Sequence, residues 1–180
     1  MLRRDFLKLE QEVFVMNNRP MRRARQQLSD EETAEIFRRN SSGVLALAEE
    51  GGAPYAVPIS YVYRDGVIYF HGADTGRKVD AIRRNAQASF CVIDRDEVVP
   101  EKFTTKYRSA IAFGMAEILT DPAQIRDALW MLARKYAPNE PDEAVEREIA
   151  RESTGLAVVA IRIERMTGKV GKELMVLDNR

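Results

Sequence analysis

The stretch that decides the fold is Pro54-Tyr55-Ala56-Val57-Pro58-Ile59-Ser60-Tyr61-Val62-Tyr63-Arg64-Asp65-Gly66-Val67-Ile68-Tyr69-Phe70. From Tyr55 to Tyr63 it alternates with the period of two that a half-buried strand requires. Tyr55, Val57, Ile59, Tyr61 and Tyr63 share one face; Ala56, Pro58, Ser60 and Val62 share the other. Asp65-Gly66 then reads as a tight hairpin turn, since both residue types tolerate the positive φ it needs, and Val67 to Phe70 returns as the partner strand. Proline has no N–H to give to a sheet, so Pro58 places its strand at an edge or a bulge, where unpaired backbone groups can meet a ligand.

Working outward, Ser29-Asp30-Glu31-Glu32 is a capping box that starts a helix running to about Asn40, with Ile36 and Phe37 as its apolar anchors. Asn40-Ser41-Ser42-Gly43 ends it, Val44 to Ala48 is a strand, and Glu49 to Gly52 turns the chain. Downstream of the hairpin, His71-Gly72-Ala73-Asp74-Thr75-Gly76 is expected as a loop, Arg77 to Asn85 as a short helix and Gln87 to Asp94 as a strand. Asp94 to Lys102 is expected as a charged loop, followed by a long strand from Tyr107 to Leu119. That strand carries Tyr107, Ser109, Ile111, Phe113 and Met115 on one face and Ala110, Ala112, Gly114 and Ala116 on the other, a small-residue face suited to close approach in a curved sheet. Asp121-Pro122 starts a helix with proline where its missing N–H is harmless. Ile125, Leu129, Leu132 and Tyr136 form its stripe, Trp130 packs beside it, and Pro138 stops it. A charged helix follows from Pro141-Asp142-Glu143 to about Glu152, then a strand from Leu156 to Ile163, and a tail from Met166. Leu2, Phe6, Leu9 and Val13 suggest a short amphipathic helix at the N-terminus. Arg19 to Arg25 is a basic linker or edge strand, either a solvated face or a grip for a phosphate or partner subunit. The division expected is a helical extension over 1–20, one domain over 21–170 and a tail over 171–180. Strands joined mainly by hairpins, with few crossover helices, make the fold mainly β, an antiparallel barrel with peripheral helices.

The totals narrow the function. The chain has 180 residues, enough for one domain with a substantial core. Lys+Arg and Asp+Glu are equal at 28 each, so no net charge draws it to nucleic acid or an anionic membrane. No apolar run reaches membrane-spanning length. Cys91, the one cysteine, lies in an apolar run and reads as a buried inert thiol; with it, a reducing, cytoplasmic location is expected. No zinc spacing, dinucleotide fingerprint, Walker loop, metalloprotease motif or nucleophile elbow occurs, so no metal site is expected. One constellation remains. Gly76-Arg77-Lys78 opens a short helix, where unsatisfied amides, the positive dipole end and two cations suit a phosphate; the same triplet also reads as an ordinary solvated helix start.

Four blocks in order, Pro54 to Tyr61, Ile68 to Ala73, Gly76-Arg77-Lys78 and Tyr107 to Gly114, resemble the pyridoxamine 5'-phosphate oxidase-like FMN-binding proteins, most closely their nitroimidazole-resistance, or nitroreductase-like, branch. Met166-Thr167-Gly168-Lys169 resembles that branch too, so the likeness spans about Met21 to Lys169. It implies a six-stranded antiparallel split β-barrel and a homodimer holding FMN at the subunit interface. It also implies a small-molecule substrate, with a reduced nicotinamide as a possible donor. By this resemblance Val57, Pro58, Ile59, Ser60 and Tyr61 run along the flavin ring, Arg77 and Lys78 meet its phosphate, His71 and Gly72 lie where a strand end meets the flavin, and Ser109 is near the ribityl-phosphate. His71 is the catalytic candidate, able to supply a proton near neutral pH; its other reading is an inert histidine at a strand end. Tyr55, Tyr61, Tyr63 and Tyr69 also read as barrel core. The C-terminus, Gly171 to Arg180, lacks the aromatic, Arg/His-rich motif of true pyridoxamine phosphate oxidases, so vitamin B6 oxidation is not implied. The activity expected is FMN-dependent reduction of nitroaromatic or related acceptors. The alternatives are a flavin- or haem-binding module without turnover, or a relative of the oxidase with another substrate.

Overall fold

The computed structural model describes residues 20–151 and 155–175. The expected helix over Leu2 to Val13 lies outside the described residues. Seven strands form one antiparallel sheet: β1 (Ser42–Ala48), β2 (Pro54–Ser60), β3 (Val62–Arg64), β4 (Val67–Ala73), β5 (Gln87–Val99), β6 (Thr104–Ile118) and β7 (Leu156–Val170), in the order β2-β1-β5-β6-β7-β4-β3. Among the described residues five α-helices are peripheral: α1 (Asp30–Arg39), α2 (Arg77–Arg84), α3 (Pro122–Tyr136), α4 (Asp142–Arg151) and α5 (Lys172–Met175). None of the described helices is long and apolar enough to cross a membrane.

The two ends of the sheet, β2 and β3, are consecutive in the chain and separated by Tyr61 alone. A sheet whose first and last strands meet at one residue must curl back on itself, and this closes the barrel. Here lies the correction to six strands. The alternating run Tyr55–Tyr63 bends at Tyr61, its first part pairing with β1 and its last part with β4. Along β2 the alternation persists, with Tyr55, Val57 and Ile59 half-buried and Pro54, Ala56, Pro58 and Ser60 exposed. Pro58 does sit in an edge strand, opposite Val44.

The interior is filled by inward-facing alternate residues: Leu45 and Leu47 of β1, Phe90 and Val92 of β5, Ile68 and Phe70 of β4, Val159 and Ile161 of β7, with Ile36 and Phe37 of α1 closing one end. Each such side chain contributes roughly 1.5–3 kcal/mol of burial. β6 answers these large residues with Ala110, Ala112, Gly114 and Ala116, all buried; small facing large is how a narrow barrel fills without voids. A second cluster joins α3 to the outside of the β4–β7 wall through Leu119, Ala128, Leu129, Val158 and Ala160. The capping box is present, the Ser29 hydroxyl accepting from the Glu32 amide while Glu32 accepts from the Ser29 amide. Asp121 caps α3 with Pro122 in its first turn.

Three expected loops or tails are strand. His71, Gly72 and Ala73 pair with Val158, Ala157 and Leu156, because apolar β7 offers them a full ladder. The expected tail from Met166 continues β7 to Val170. The charged segment after Asp94 pairs with Thr104 to Arg108 as a two-stranded arm. Arg95 stands opposite Arg108, but its guanidinium bonds Glu97, and Glu97 stands opposite Lys106 with Nζ 2.6 Å from its carboxylate, so an opposite-charge pair supports the ladder.

Gly114 marks a register shift against β7, and a Cβ there would sit 2.0 Å from the Arg162 carbonyl oxygen. Because that neighbour is backbone, nothing can rotate away. Gly114→Ala is expected to lower stability by about 1–3 kcal/mol, read by denaturant unfolding; an unchanged midpoint would contradict the close approach.

Candidate functional site

The barrel is split where β2 and the end of β4 each lack a strand neighbour on one side. β2 pairs only with β1, and beyond Tyr69 β4 pairs only with β7. α2 leaves the end of β4 and reaches across to β2. Its first residue, Arg77, sets its guanidinium 4.9 Å from the centroid of the Tyr55 ring and forks onto Glu49 in the β1–β2 turn, with Nε–Oε1 2.9 Å and Nη2–Oε2 2.6 Å. Those hydrogen bonds hold the Glu49 carboxyl below its usual range. Gly76 precedes the helix at φ 104°, a conformation that side chains strain to adopt. Gly72 makes room in turn: a Cβ there would lie 3.1 Å from Lys78 Nζ. Among the described residues no carboxylate pairs with Lys78. The result is an unpaired ammonium over a strand end, beside a helix N-terminus whose first amides point outward, an arrangement suited to an anion.

Of the residues expected from sequence, Val57, Pro58, Ile59 and Ser60 line the β2 edge, and Gly72, Arg77 and Lys78 gather at the other side of the split. Arg77 is engaged by Glu49, so it first acts as a strut across the split. His71 is exposed on the outer face of β4, in register with Val158. Two expected residues stand apart. Tyr61 is 0 % exposed, its ring edge-on to Phe90 at 4.8 Å and its hydroxyl donating to the Phe37 carbonyl at 2.8 Å, so this side chain serves the core. Ser109 is on the outer face of β6, three strands from β2, about 14 Å at ordinary strand spacing. One chain does not bring it to the β2 edge.

Ser109 belongs instead to an open wall. Registered across β2, β1, β5, β6 and β7 run Pro58, Val44, Cys91, Ile111 and Thr167, with Ile93 and Ser109 paired in the next row. Ile93 is 65 % exposed and Val44 37 %, and the arm adds exposed Val98 beyond Asp96 and, at its tip, Phe103, 98 % exposed. Large apolar side chains exposed together on one face mark a candidate interaction surface. Cys91 is half-buried in this wall, where burial pushes its thiol pKa up.

Sequence reasoning missed a polar cluster at the barrel vertex. Lys135 Nζ donates to the Asn40 carbonyl at 2.5 Å and lies 4.3 Å from the Tyr61 ring centroid, while burial pushes its ammonium down to about 8. The Asn40 side chain donates to Asp94, which also takes the fork of Arg39. Burial by itself would raise the Asp94 carboxyl, but the hydrogen bonds from Arg39 and Asn40, with Arg108 nearby, hold it below its usual range. No periodicity in the sequence marks these residues, which come from four separate elements. No group of three or more His, Cys, Asp or Glu able to hold a metal ion occurs among the described residues.

Residues 29–170 match the family model described as pyridoxamine 5'-phosphate oxidase. Among solved structures, the chain is similar to the conserved hypothetical protein Rv2991 from Mycobacterium tuberculosis (22% identity over 87% of this chain and 93% of that one, TM-score 0.74). It is also similar to a candidate 5-nitroimidazole antibiotic resistance protein from Bacteroides thetaiotaomicron VPI-5482 (23%, 80% and 86%, TM-score 0.65). A third is the FAD and heme binding protein from Mycobacterium smegmatis (23%, 82% and 74%, TM-score 0.67). At these identities the likeness is one of fold. No curated protein matches the chain in sequence.

Proposed function

Because the chain belongs to the pyridoxamine 5'-phosphate oxidase family, we propose that it is an FMN-dependent oxidoreductase reducing nitroaromatic, nitroimidazole-type or related small acceptors as a homodimer. The observation that carries the flavin reading is the unpaired Lys78 ammonium, seated over Gly72 at the start of α2. The residues present fit a flavin phosphate: Lys78 supplies the charge, the first amides of α2 supply donors, and Arg77 can exchange Glu49 for phosphate oxygens, which its fork grips equally well. The β2 edge from Val57 to Ser60 would flank the ring. Bound flavin supplies the electron and hydride chemistry, with a reduced nicotinamide as the donor class. The chain's own part is to hold and orient the flavin and to deliver protons. His71, exposed at the end of β4, is the side chain suited to that delivery. The names of the similar structures, one for FAD and heme and one for nitroimidazole resistance, fit this direction.

The homodimer reading rests on the open wall. A second copy presents the same apolar surface, so two walls can cover each other about a two-fold axis. Ser109 would then act on the partner's flavin, which accounts for its distance from the β2 edge within one chain.

Three outcomes are expected. The purified protein shows a flavin spectrum and releases close to one FMN per chain on denaturation; Arg77→Ala with Lys78→Ala weakens FMN binding by at least tenfold, whereas unchanged affinity would move the phosphate elsewhere. In an assay of nitroimidazole reduction with NADH or NADPH, His71→Ala keeps its flavin and loses turnover; equal turnover returns His71 to an inert strand-end residue. Sedimentation finds the wild-type chain dimeric and Ile93→Arg monomeric, and a wild-type monomer would sink the dimer.

A further inference from the structure

We infer that Tyr136 is a positioning residue for the flavin site: its phenol, carried by α3 outside the barrel, clamps the Tyr61 vertex and so fixes the β2 edge that the flavin lies against. The inference rests on the flavin reading above.

β2 is bonded to the sheet on one side only, so its position depends on how its two ends are held. The N-terminal end is held twice. The Glu49 amide donates to the Ala53 carbonyl at 2.8 Å, closing the β1–β2 turn, and Arg77 ties that turn and the Tyr55 ring to α2. The C-terminal end is Tyr61. Its backbone N–H donates to the Tyr136 hydroxyl at 2.7 Å, and the competing acceptor, the Ser41 carbonyl, is at 3.4 Å. The carbonyls of Tyr61, at 2.8 Å, and of Ser41 both face the same hydroxyl, which gives its single proton to one of them at a time. One oxygen thus joins the vertex that follows β2 and the residue that precedes β1.

The rest of the Tyr136 side chain does little for the core, because the residue is 43 % exposed. Its neighbour Lys135 braces the same vertex from the other side, through the Asn40 carbonyl and the Tyr61 ring. Pro58 and Ser60 lie three residues and one residue from the vertex, too close for a shift there to be absorbed before it reaches them. Removing the phenol oxygen leaves the ring in place but leaves the Tyr61 amide with only its long bond to Ser41. The end of β2 is then free to move relative to β4, and the flavin site changes shape although no residue touching flavin has been altered.

The test is titration of the flavin-free full-length chain with FMN, comparing wild type with Tyr136→Phe. The variant is expected to bind FMN at least tenfold more weakly. The visible circular dichroism of its bound flavin is expected to weaken toward that of free FMN. Its thermal midpoint should fall only by the several degrees that the loss of the phenol's one accepted and one donated hydrogen bond brings. FMN affinity within twofold of wild type together with superimposable visible dichroism would overturn the inference, whatever the change in melting, since a purely structural phenol moves only the melt. Should Tyr136→Phe fail to fold, Lys135→Met loosens the same vertex and is read by the same two criteria. A wild-type chain that takes up no FMN overturns the flavin reading and this inference with it, an outcome distinct from normal uptake by both proteins.

Discussion

The structure depends on one residue being in two places. Tyr61 directly follows the strand at one edge of the sheet and directly precedes the strand at the other edge. Antiparallel strands twist in one hand, and a sheet whose two edges share a residue has no freedom to stay open. The tyrosine meets this demand with every part of itself. Its ring fills the interior against Phe90, its hydroxyl finds the Phe37 carbonyl in an otherwise apolar core, and its backbone turns to a phenol on a helix outside the barrel. Burial holds its own phenol pKa well above the ordinary value, with Tyr136 and Asp94 adding to the effect, so it stays protonated and keeps donating.

The split that hosts the candidate site follows from the same constraint. Near Tyr61 the edges are joined; away from it they diverge, and neither β2 nor the far end of β4 finds a second partner strand. Exposed strand edges invite association, and the chain manages this one with a proline and a basic helix. Arg77 bridges the gap by stacking on Tyr55 and forking onto Glu49, which leaves Lys78 as the cation without a carboxylate. A charged pair that closes a gap and a lone charge beside it have different chemistry, and their adjacency in sequence concealed the difference.

The strands were legible because their burial is one-sided. Alternation in Tyr55–Tyr63, the small face Ala110-Ala112-Gly114-Ala116 and the Asp65-Gly66 turn each report a local requirement that any barrel of this kind imposes. Loops were overcounted for an equally physical reason. His71-Gly72-Ala73 and the charged arm after Asp94 lack the apolar pattern of a strand, yet both are strands, one because β7 supplies a ladder and the other because opposite charges pair across the hairpin.

By itself the sequence determined an antiparallel barrel with peripheral helices, the caps of α1 and α3 and the edge position of Pro58. These depend on contacts between near neighbours or on a period that a strand or helix imposes. Only the tertiary structure decided that one alternating run is two strands, that Arg77 is held by Glu49 while Lys78 is not, that Ser109 faces a different wall, and that Tyr136 reaches the barrel's vertex from 75 residues away. Such pairings join residues from separate elements, and a hydrogen bond between distant positions leaves no periodic trace along the chain.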